Sequence, residues 1–403
     1  MYLTGGGGSV GNIKVILHGS GSLLKNDRLV RTVGSVGRLG SRSAPLHGGS
    51  PRGQLLSAHH HCEMWTRQQT ELMCYGAQFS PWDGTSLAVA SAEHFGIIGK
   101  GGQCVYDLSA QPVALRPRVT RRTPDGVFDC CWSERDPGIV LSACGDGSLR
   151  LWDVVRPEVS EPLAVFSGHS AEVYGVAWNL VHKSSFASAS WDHSVRVWDP
   201  ESPQPIRALM GHTGCVYASE WACGPWGADL IASASADRSV NIWDVRNPTP
   251  RASLSIKAHS HEVLSCDWNK YLPMTLATGS VDRLVRVWDI RKVASGPLVT
   301  LESHEFAVRK VKWSPHTPNL LLSAGYDMNV ILWDWMLPNA LLNKFEHHSE
   351  FVIGLDWNLF VEGQVVSCGW DQGVFVWNIN SQPPPPSPAP SSRPVAATFG
   401  FKT

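Results

Sequence analysis

The sequence predicts an all-β protein built from one repeat of about 45 residues that recurs along most of the chain. A Trp-Asp pair closes five copies of the repeat and a Trp-Asn pair closes a sixth, at spacings of 44 to 46 residues. The tryptophans are Trp152, Trp198, Trp243, Trp288, Trp333 and Trp377. Each copy therefore has a fixed length, as expected if every copy forms the same structural unit.

Three further positions recur at fixed offsets from these tryptophans. An Asp precedes each Trp by six residues, at Asp146, Asp192, Asp237, Asp282, Asp327 and Asp371. A hydroxyl residue precedes each Asp by four, at Ser142, Ser188, Ser233, Thr278, Ser323 and Ser367. A Gly-His, Ala-His, Ser-His or His-His pair opens five copies, with His169, His212, His259, His304 and His348. One active site does not need six copies, so we interpret these residues as a buried hydrogen-bond network within each unit.

The segments between the recurring residues are short runs of alternating apolar character, such as VYGVAW, SFASAS and VRVWD. Such runs are typical of β-strands, and each repeat supplies about four of them. Repeats of this length with these marks are the signature of WD-repeat propeller blades. A blade cannot bury both of its faces alone, so neighbouring blades must stack around a ring.

Counting back 46 residues from Trp152 reaches Tyr106, which indicates a degenerate first blade over residues 74–107. This blade lacks the His and has Glu93 or a loop at the position of the Asp, while the second blade has Thr123 in place of its His. One degenerate and six clear copies predict a seven-bladed propeller. To avoid an exposed edge, the segment from Met64 to Leu72 is expected to supply the outer strand of the last blade.

The composition divides the chain into residues 1–60, 61–380 and 381–403. The first segment is rich in Gly, Ser and basic residues, and the last is rich in Pro, so both are predicted to be disordered flanks of the propeller. The first segment also resembles a transit peptide, although an extension without that role fits its many glycines equally well. No stretch has the length and apolarity of a membrane span.

Charge and cysteine content exclude several classes of function. The whole chain has a net charge of −1, of which residues 1–58 contribute +6 and residues 381–403 contribute +2, so −9 remains for the propeller. This argues against nucleic-acid binding. The cysteines have no repeating pair spacing and are expected to be reduced. His59 to Cys62 reads HHHC, but without a second cluster we predict neither a metal site nor a cofactor, and no nucleophile motif indicates an enzyme.

The function of a propeller lies on its rims, and in WD repeats the narrow face is lined by residues near the start of each inner strand and before the Asp. We predict a peptide-binding surface there, since aromatic side chains beside carboxylates suit a ligand with apolar and cationic groups. The alternative is that the aromatic residues only cover the channel and the acids are solvated. The candidate binding residues are Asp125, Glu172, Phe128, Tyr174, Trp191, Tyr217, Glu262, Phe351 and Trp370. Cys215, Leu264, Arg309, Tyr326 and Ile353 occupy corresponding positions.

Residues 64–379 resemble the family of receptors for the type 2 peroxisomal targeting signal. The resemblance is carried by YGAQFSP and SAEHFGIIGKG in the first blade, by DGVFDCCWSE and HSAEVYGVAWN, and by EHHSEFVIGLDWN in the last blade. The HFGIIGKG loop and EHHSEF are its most specific parts. The N-terminal extension and the Pro-rich tail depart from the family pattern but lie outside the propeller.

The resemblance implies a soluble import receptor that is not an enzyme and that shuttles between the cytosol and the peroxisome matrix. Its cargo proteins carry an N-terminal helical nonapeptide signal with an early Arg, and Asp125 and Glu172 match family acids that meet basic residues of the cargo. A co-receptor is implied, either the receptor for the C-terminal tripeptide signal or a fungal-type helper, together with docking proteins of the peroxisomal membrane. The alternative is a generic WD-repeat scaffold, such as a ubiquitin-ligase substrate adaptor or a chromatin-associated protein.

Overall fold

A computed structural model describes residues 65–109, 114–224 and 227–381 of the chain. In these residues the backbone forms 28 β-strands and two 3₁₀ turns, His94–Gly96 and Val293–Ser295. The strands are arranged in seven four-stranded sheets, which confirms the predicted seven-bladed propeller. The predicted flanks and the HHHC stretch lie outside the described residues.

Six blades contain four consecutive strands, ordered from the channel outwards. Blade 1 contains β2 (Met73–Phe79), β3 (Ser86–Ala92), β4 (Gly101–Asp107) and β5 (Arg116–Thr123). Blade 2 contains β6 (Val127–Trp132), β7 (Ile139–Cys144), β8 (Ser148–Asp153) and β9 (Ala164–Ser167). Blade 3 contains β10 (Val173–Trp178), β11 (Phe186–Ser190), β12 (Ser194–Trp198) and β13 (Pro205–Met210).

The remaining blades follow the same plan. Blade 4 contains β14 (Val216–Trp221), β15 (Leu230–Ser235), β16 (Ser239–Asp244) and β17 (Leu254–Lys257). Blade 5 contains β18 (Val263–Trp268), β19 (Thr275–Ser280), β20 (Leu284–Asp289) and β21 (Val299–Glu302). Blade 6 contains β22 (Val308–Trp313), β23 (Leu320–Gly325), β24 (Val330–Asp334) and β25 (Leu341–Phe345). Blade 7 contains β26 (Val352–Trp357), β27 (Gln364–Gly369), β28 (Gly373–Asn378) and β1 (Thr66–Gln69).

The ring is closed by the first strand of the chain. Strand β1 pairs antiparallel with β28 of blade 7, with Thr66 opposite Val376. Trp65 stacks on Trp377 with ring centroids 5.0 Å apart, so the closure is apolar as well as hydrogen-bonded. The prediction that the segment before blade 1 supplies this strand is therefore confirmed.

The hydrophobic core lies between the blades. One cluster joins Val285 and Val287 of blade 5 to Val308 and Val311 of blade 6, all with no exposed surface. Equivalent clusters join each pair of neighbouring blades. Because each sheet is covered on both faces by its neighbours, no blade has an independent core.

A buried hydrogen-bonded chain links the recurring residues of blade 3. The indole nitrogen of Trp198 donates to Ser188 Oγ at 2.8 Å, and Ser188 Oγ lies 2.7 Å from His169 Nε2. His169 Nδ1 lies 2.8 Å from Asp192 Oδ2. Because the ionised carboxylate of Asp192 can only accept, Nδ1 carries the proton and donates to it. In the neutral ring Nε2 then accepts from the hydroxyl of Ser188, whose oxygen accepts the indole N–H. Burial lowers the pKa of His169 and keeps this imidazole neutral.

Blades 4 to 7 repeat this arrangement, with His-to-Asp distances between 2.8 and 3.0 Å. Blade 2 replaces the missing imidazole with two other side chains. Ser142 Oγ donates to Gln103 Oε1 of blade 1 at 2.9 Å, and Arg150 Nη2 donates to Asp146 Oδ2 at 2.7 Å. The sequence repeat did not reveal these substitutes, because Gln103 belongs to the neighbouring blade.

Asp192 ties two segments of the chain together, and its loss should destabilise blade 3. Asp192→Ala removes the acceptor of His169 Nδ1 and leaves a buried donor unpaired. We expect the free energy of unfolding to fall by about 1–3 kcal/mol. Urea denaturation of the variant and the wild type measures this difference, and an unchanged midpoint would contradict the structural role of the network.

His347 predicts a pH dependence of stability. Its imidazole is buried among Trp65, Phe375 and Trp377, its Nδ1 has no hydrogen-bond partner in the described residues, and burial lowers its pKa well below the usual value. Below about pH 6.5 the unfolded chain binds a proton here that the folded chain does not. This contribution to stability is therefore present at neutral pH and is lost as the pH falls.

His347→Phe should reduce the loss of stability between pH 6.5 and pH 5.5 by up to about 1.4 kcal/mol, the value for one proton over one pH unit. Ser367 keeps His348 and Trp377 as partners in the variant. Urea denaturation at both pH values measures the slope. An identical slope in variant and wild type would show that His347 titrates normally in the folded chain.

Candidate functional site

A β-bulge at the start of every inner strand directs one side chain towards the mouth of the central channel. In all seven blades the pairing register shifts at the corresponding residue, which is left unpaired. A β-bulge commonly changes the direction of the side chain at such a residue. The bulged residues are Tyr75, Phe128, Tyr174, Tyr217, Leu264, Arg309 and Ile353. We call the face at which the inner strands begin the narrow face.

Aromatic rings form a continuous belt on the narrow face. Phe128 stacks on Tyr174 with centroids 4.6 Å apart, and Tyr174 stacks on Trp191 at 4.9 Å. On the other side, Tyr75 lies edge-on to Phe128 at 5.3 Å and 6.1 Å from Trp370. The aromatic belt consists of Tyr326, Phe351, Trp370, Tyr75, Phe128, Tyr174, Trp191 and Tyr217. It runs from blade 6 through blade 7 and blade 1 to blade 4.

The turn before each recurring Asp is bound to the loop that precedes the inner strand. Trp191 N donates to Glu172 O at 3.0 Å, and Trp370 N donates to Phe351 O at 3.0 Å. These bonds place the large side chain of the turn directly beside the loop residue. The positions of Trp191, Glu172, Trp370 and Phe351 therefore follow from the backbone of the repeat.

The belt is partly surface and partly support. Trp191, Trp370, Phe351 and Tyr174 are half-buried and present part of their rings to solvent. Phe128 and Tyr217 were predicted as binding residues, but only 3% and 8% of their surface is exposed, as is 3% of that of Tyr75. These three rings therefore lie beneath the others. The indole nitrogen of Trp191 is buried without a hydrogen-bond partner in the described residues.

Two carboxylates flank the belt at blades 2 and 3. Asp125 Oδ1 accepts the N–H of Gly126 at 2.7 Å, and the carboxylate lies next to Gly145 and the ring of Phe128. Glu172 is half-buried next to Trp191. Neither carboxylate has an ion-pair partner among the residues that the structure describes. Their charge is therefore available to a ligand.

Glu262 and Arg309 lie on the opposite side of the channel mouth. Glu262 Oε2 accepts the hydroxyl of Tyr217 at 2.8 Å, so this predicted binding residue also supports the belt. The guanidinium of Arg309, which is 5% exposed, lies 5.5 Å from the ring centroid of Tyr174. A cation over an aromatic face is attractive, especially when desolvated. Burial raises the pKa of Tyr174 and Tyr326, so both hydroxyls stay protonated.

The loop between β3 and β4 packs on the middle part of the belt, next to Trp370 and Phe128. Blade 1 has eight residues here, 93–100, where blade 3 has three, and Glu93 occupies the position that corresponds to Asp192. Glu93 Oε2 accepts the N–H of Lys100 at 2.8 Å, which closes the loop. Phe95 lies edge-on to Trp370 at 5.1 Å and is 49% exposed. The two alternatives predicted for the position of the recurring Asp, Glu93 and a loop, are therefore both present in blade 1.

Sequence reasoning missed Tyr75 and Phe95, although both contact the belt. Blade 1 lacks the opening His from which the other positions were counted, so Tyr75 had no marker. Phe95 lies in the inserted loop, where the repeat has no corresponding position. Tyr75 lies in the YGAQF segment and Phe95 in the HFGIIGKG segment, both of which carry the family resemblance. The resemblance, and not the repeat, is the feature that could have indicated these two residues.

The domain description that matches the chain is "WD domain, G-beta repeat". It matches residues 117–153, 160–199, 203–244, 250–289, 295–334 and 339–378. Each match takes in the outer strand of one blade and the first three strands of the next, from blades 1 and 2 to blades 6 and 7. A relative from Arabidopsis thaliana, "Peroxisome biogenesis protein 7", is 43% identical over 309 residues, which cover 77% of this chain and 96% of the relative. The chain belongs to the WD-repeat family of peroxisomal targeting signal 2 receptors.

Other members of this receptor family match over shorter stretches. The "Peroxisomal targeting signal 2 receptor" of Dictyostelium discoideum is 43% identical over 126 residues, 31% of this chain and 39% of the relative. The human protein of the same name is 38% identical over 149 residues, 37% of this chain and 45% of the relative. The aligned stretches thus span less than half the length of these two relatives.

The described part of the receptor propeller contains no helix long and apolar enough to cross a bilayer. Within residues 65–109, 114–224 and 227–381, no three His, Cys, Asp or Glu side chains are grouped so that they could hold a metal ion.

Gly96 predicts how tightly the loop is fitted to the belt. A Cβ at Gly96 would lie 2.5 Å from the ring of buried Phe128, and Gly96 has φ +69°. Gly224 has φ +78° with nothing within 4 Å, so Gly224→Ala serves as the control for a positive φ without a steric clash. Gly96→Ala should lower the free energy of unfolding by about 1–3 kcal/mol more than Gly224→Ala. Equal midpoints in urea denaturation would show that the loop does not pack on Phe128.

Proposed function

We propose that this chain is an import receptor that binds the helical N-terminal type 2 targeting signal of peroxisomal matrix proteins on its narrow face. The observation that carries the proposal is the aromatic belt flanked by Asp125 and Glu172, two carboxylates without an ion-pair partner in the described residues. Apolar side chains on one face of the signal helix contact the half-buried rings, and its basic side chains meet the carboxylates.

The aromatic character of the surface suits a short amphipathic helix. Nine residues of α-helix are about 13 Å long and present an apolar stripe at positions i, i+3, i+4 and i+7. The half-buried rings of Tyr174 and Trp191 are stacked on each other and offer such a stripe an apolar surface. Buried Phe128 stacks on Tyr174 and supports it from beneath.

The two carboxylates supply specificity for a basic signal. Asp125 and Glu172 belong to adjacent blades, whose rings Phe128 and Tyr174 are in contact. In the bound state each carboxylate is partly desolvated, and a hydrogen bond to a charged group is then worth about 1.5–3 kcal/mol. Arg is favoured over Lys at such a site because its planar guanidinium can engage two acceptors.

A co-receptor completes the proposed cycle. The belt contacts only one side of a helix, so the opposite side of the signal stays exposed until a second protein covers it. That protein is either the receptor for the C-terminal tripeptide signal or a fungal-type helper. The assembled complex then binds docking proteins at the peroxisomal membrane, and the receptor moves between the cytosol and the peroxisome matrix.

Titration of the full chain with a fluorescent type 2 signal peptide, with and without each co-receptor, tests the proposal. Specific binding requires that replacing the first Arg of the peptide by Ala weakens the affinity and that a co-receptor strengthens it. Absence of Arg-dependent binding to folded protein under every condition would favour the generic scaffold.

Glu172→Arg should weaken the affinity for the signal peptide at least about tenfold, because it replaces an attractive contact by a repulsive one. Glu172 is half-buried on a loop and forms no ion pair in the described residues, so the fold is expected to be retained. The matched control is Glu302→Arg, which makes the same charge change on the exposed outer strand of blade 5. Equal affinities of the two variants would remove Glu172 from the binding site.

A further inference from the structure

A second surface, unrelated to the belt, lies at the seam between blades 7 and 1. A groove of about 220 Å³ opens there. Its lining includes Thr70, Val89, Cys104, Tyr106 and Thr120, together with the charged pair Glu71 and Arg122. The lining shares no residue with the aromatic belt.

The groove exists because blade 1 lacks the hydrogen-bonded chain of the other blades. The bulge register makes Cys74 correspond to Val173, so Thr70 corresponds to His169. The pairing of the middle strands makes Tyr106 correspond to Trp198, which is larger, and Val89 to Ser188. In blade 2 the side chain of Gln103 from blade 1 replaces the imidazole as the partner of Ser142. In blade 1 no side chain of the described residues fills the corresponding space beside Val89 and Tyr106, which forms the groove.

The strand beside the groove is strongly basic. Strand β5 has eight residues, while the other outer strands have four to six. Arg116, Arg118 and Arg122 on it are exposed. Residues 108–124 contain four arginines and no acid, although residues 59–380 as a whole carry −9. A concentrated positive charge on an otherwise acidic ring attracts an acidic ligand.

We propose that this seam groove, together with strand β5, is a docking site for an acidic, extended segment of a partner protein. One apolar side chain of the segment occupies the groove, and its carboxylates meet Arg116 and Arg118. Strand β5 is the outer strand of its sheet, so an extended segment can also align along it. The site acts independently of signal binding on the narrow face.

The flanks of this same chain do not fit as the occupant. Residues 1–58 carry +6 with a single acid, and residues 382–403 contain two basic residues and no acid. Either flank would be repelled by the arginines of β5. Charge complementarity therefore favours a separate protein.

The test uses the full chain and a labelled probe peptide in which a Leu-Phe pair is flanked on both sides by Asp-Glu. Two matched peptides carry Lys in place of the acids or Ala in place of Leu-Phe. The acidic probe should bind at least about fivefold more tightly than either matched peptide and should weaken as salt rises. Equal binding of the Lys peptide, or no binding of the acidic probe, would overturn the proposal.

Two variants locate the probe. Thr120→Trp fills the groove, because Thr120 Oγ1 lies 3.4 Å from Cys104 Sγ on its floor. Its control is Ser255→Trp, at the corresponding exposed position of blade 4, where the hydrogen-bonded chain is complete. Only Thr120→Trp should weaken probe binding, by about fivefold or more.

The second variant combines Arg116→Glu with Arg118→Glu, and its control combines Arg251→Glu with Lys257→Glu at exposed positions of blade 4. Loss of binding in the first pair alone supports the site. Equal loss in both pairs would indicate a long-range effect of net charge and would overturn it. Competition by a type 2 signal peptide would place the probe on the narrow face and would also overturn the proposal.

Discussion

The carboxylate at the end of each buried Trp–Ser/Thr–His–Asp chain holds two separate segments of the backbone together. In blade 3, Asp192 Oδ2 accepts His169 Nδ1 and the N–H of Ser170, while Oδ1 accepts the N–H of Ser194 at 3.0 Å. Although burial alone would raise it, the hydrogen bonds from His169 and Ser194 hold the pKa of Asp192 below its usual range. The loop before the inner strand is thereby fixed to the turn that presents Trp191, and the geometry of the narrow face depends on this link.

The features that distinguish blade 1 from the other blades occur where that link is missing. Blade 1 replaces the chain by the loop closed through Glu93 and Lys100, and the loop places Phe95 on the belt. The same replacement opens the seam groove, and ring closure by β1 keeps the blade in place despite it. A regular repeat supplies rigidity, and its degenerate copy supplies surfaces that a regular blade does not have.

Much of this architecture could be predicted from the sequence because the repeat fixes offsets. Six Trp, Asp and Ser/Thr positions gave the blades, and counting from them located Trp191, Trp370, Glu172 and Phe351 on one face. The sequence did not indicate that Phe128 and Tyr217 lie beneath other rings, since burial depends on side chains from neighbouring blades. Gln103 and the seam groove were missed for the same reason, because each depends on how one blade compensates for a missing side chain of another. Tyr75 was missed because blade 1 lacks the opening His from which the other positions were counted.

Hydrogen–deuterium exchange of the full chain with and without a type 2 signal peptide tests most directly whether the narrow face is the receptor surface. If the belt binds the signal, protection will be confined to the loops before the inner strands and the turns that carry Trp191 and Trp370. Backbone amides of the loops at the opposite end of the ring will exchange as before. Protection centred on that opposite end would contradict the account.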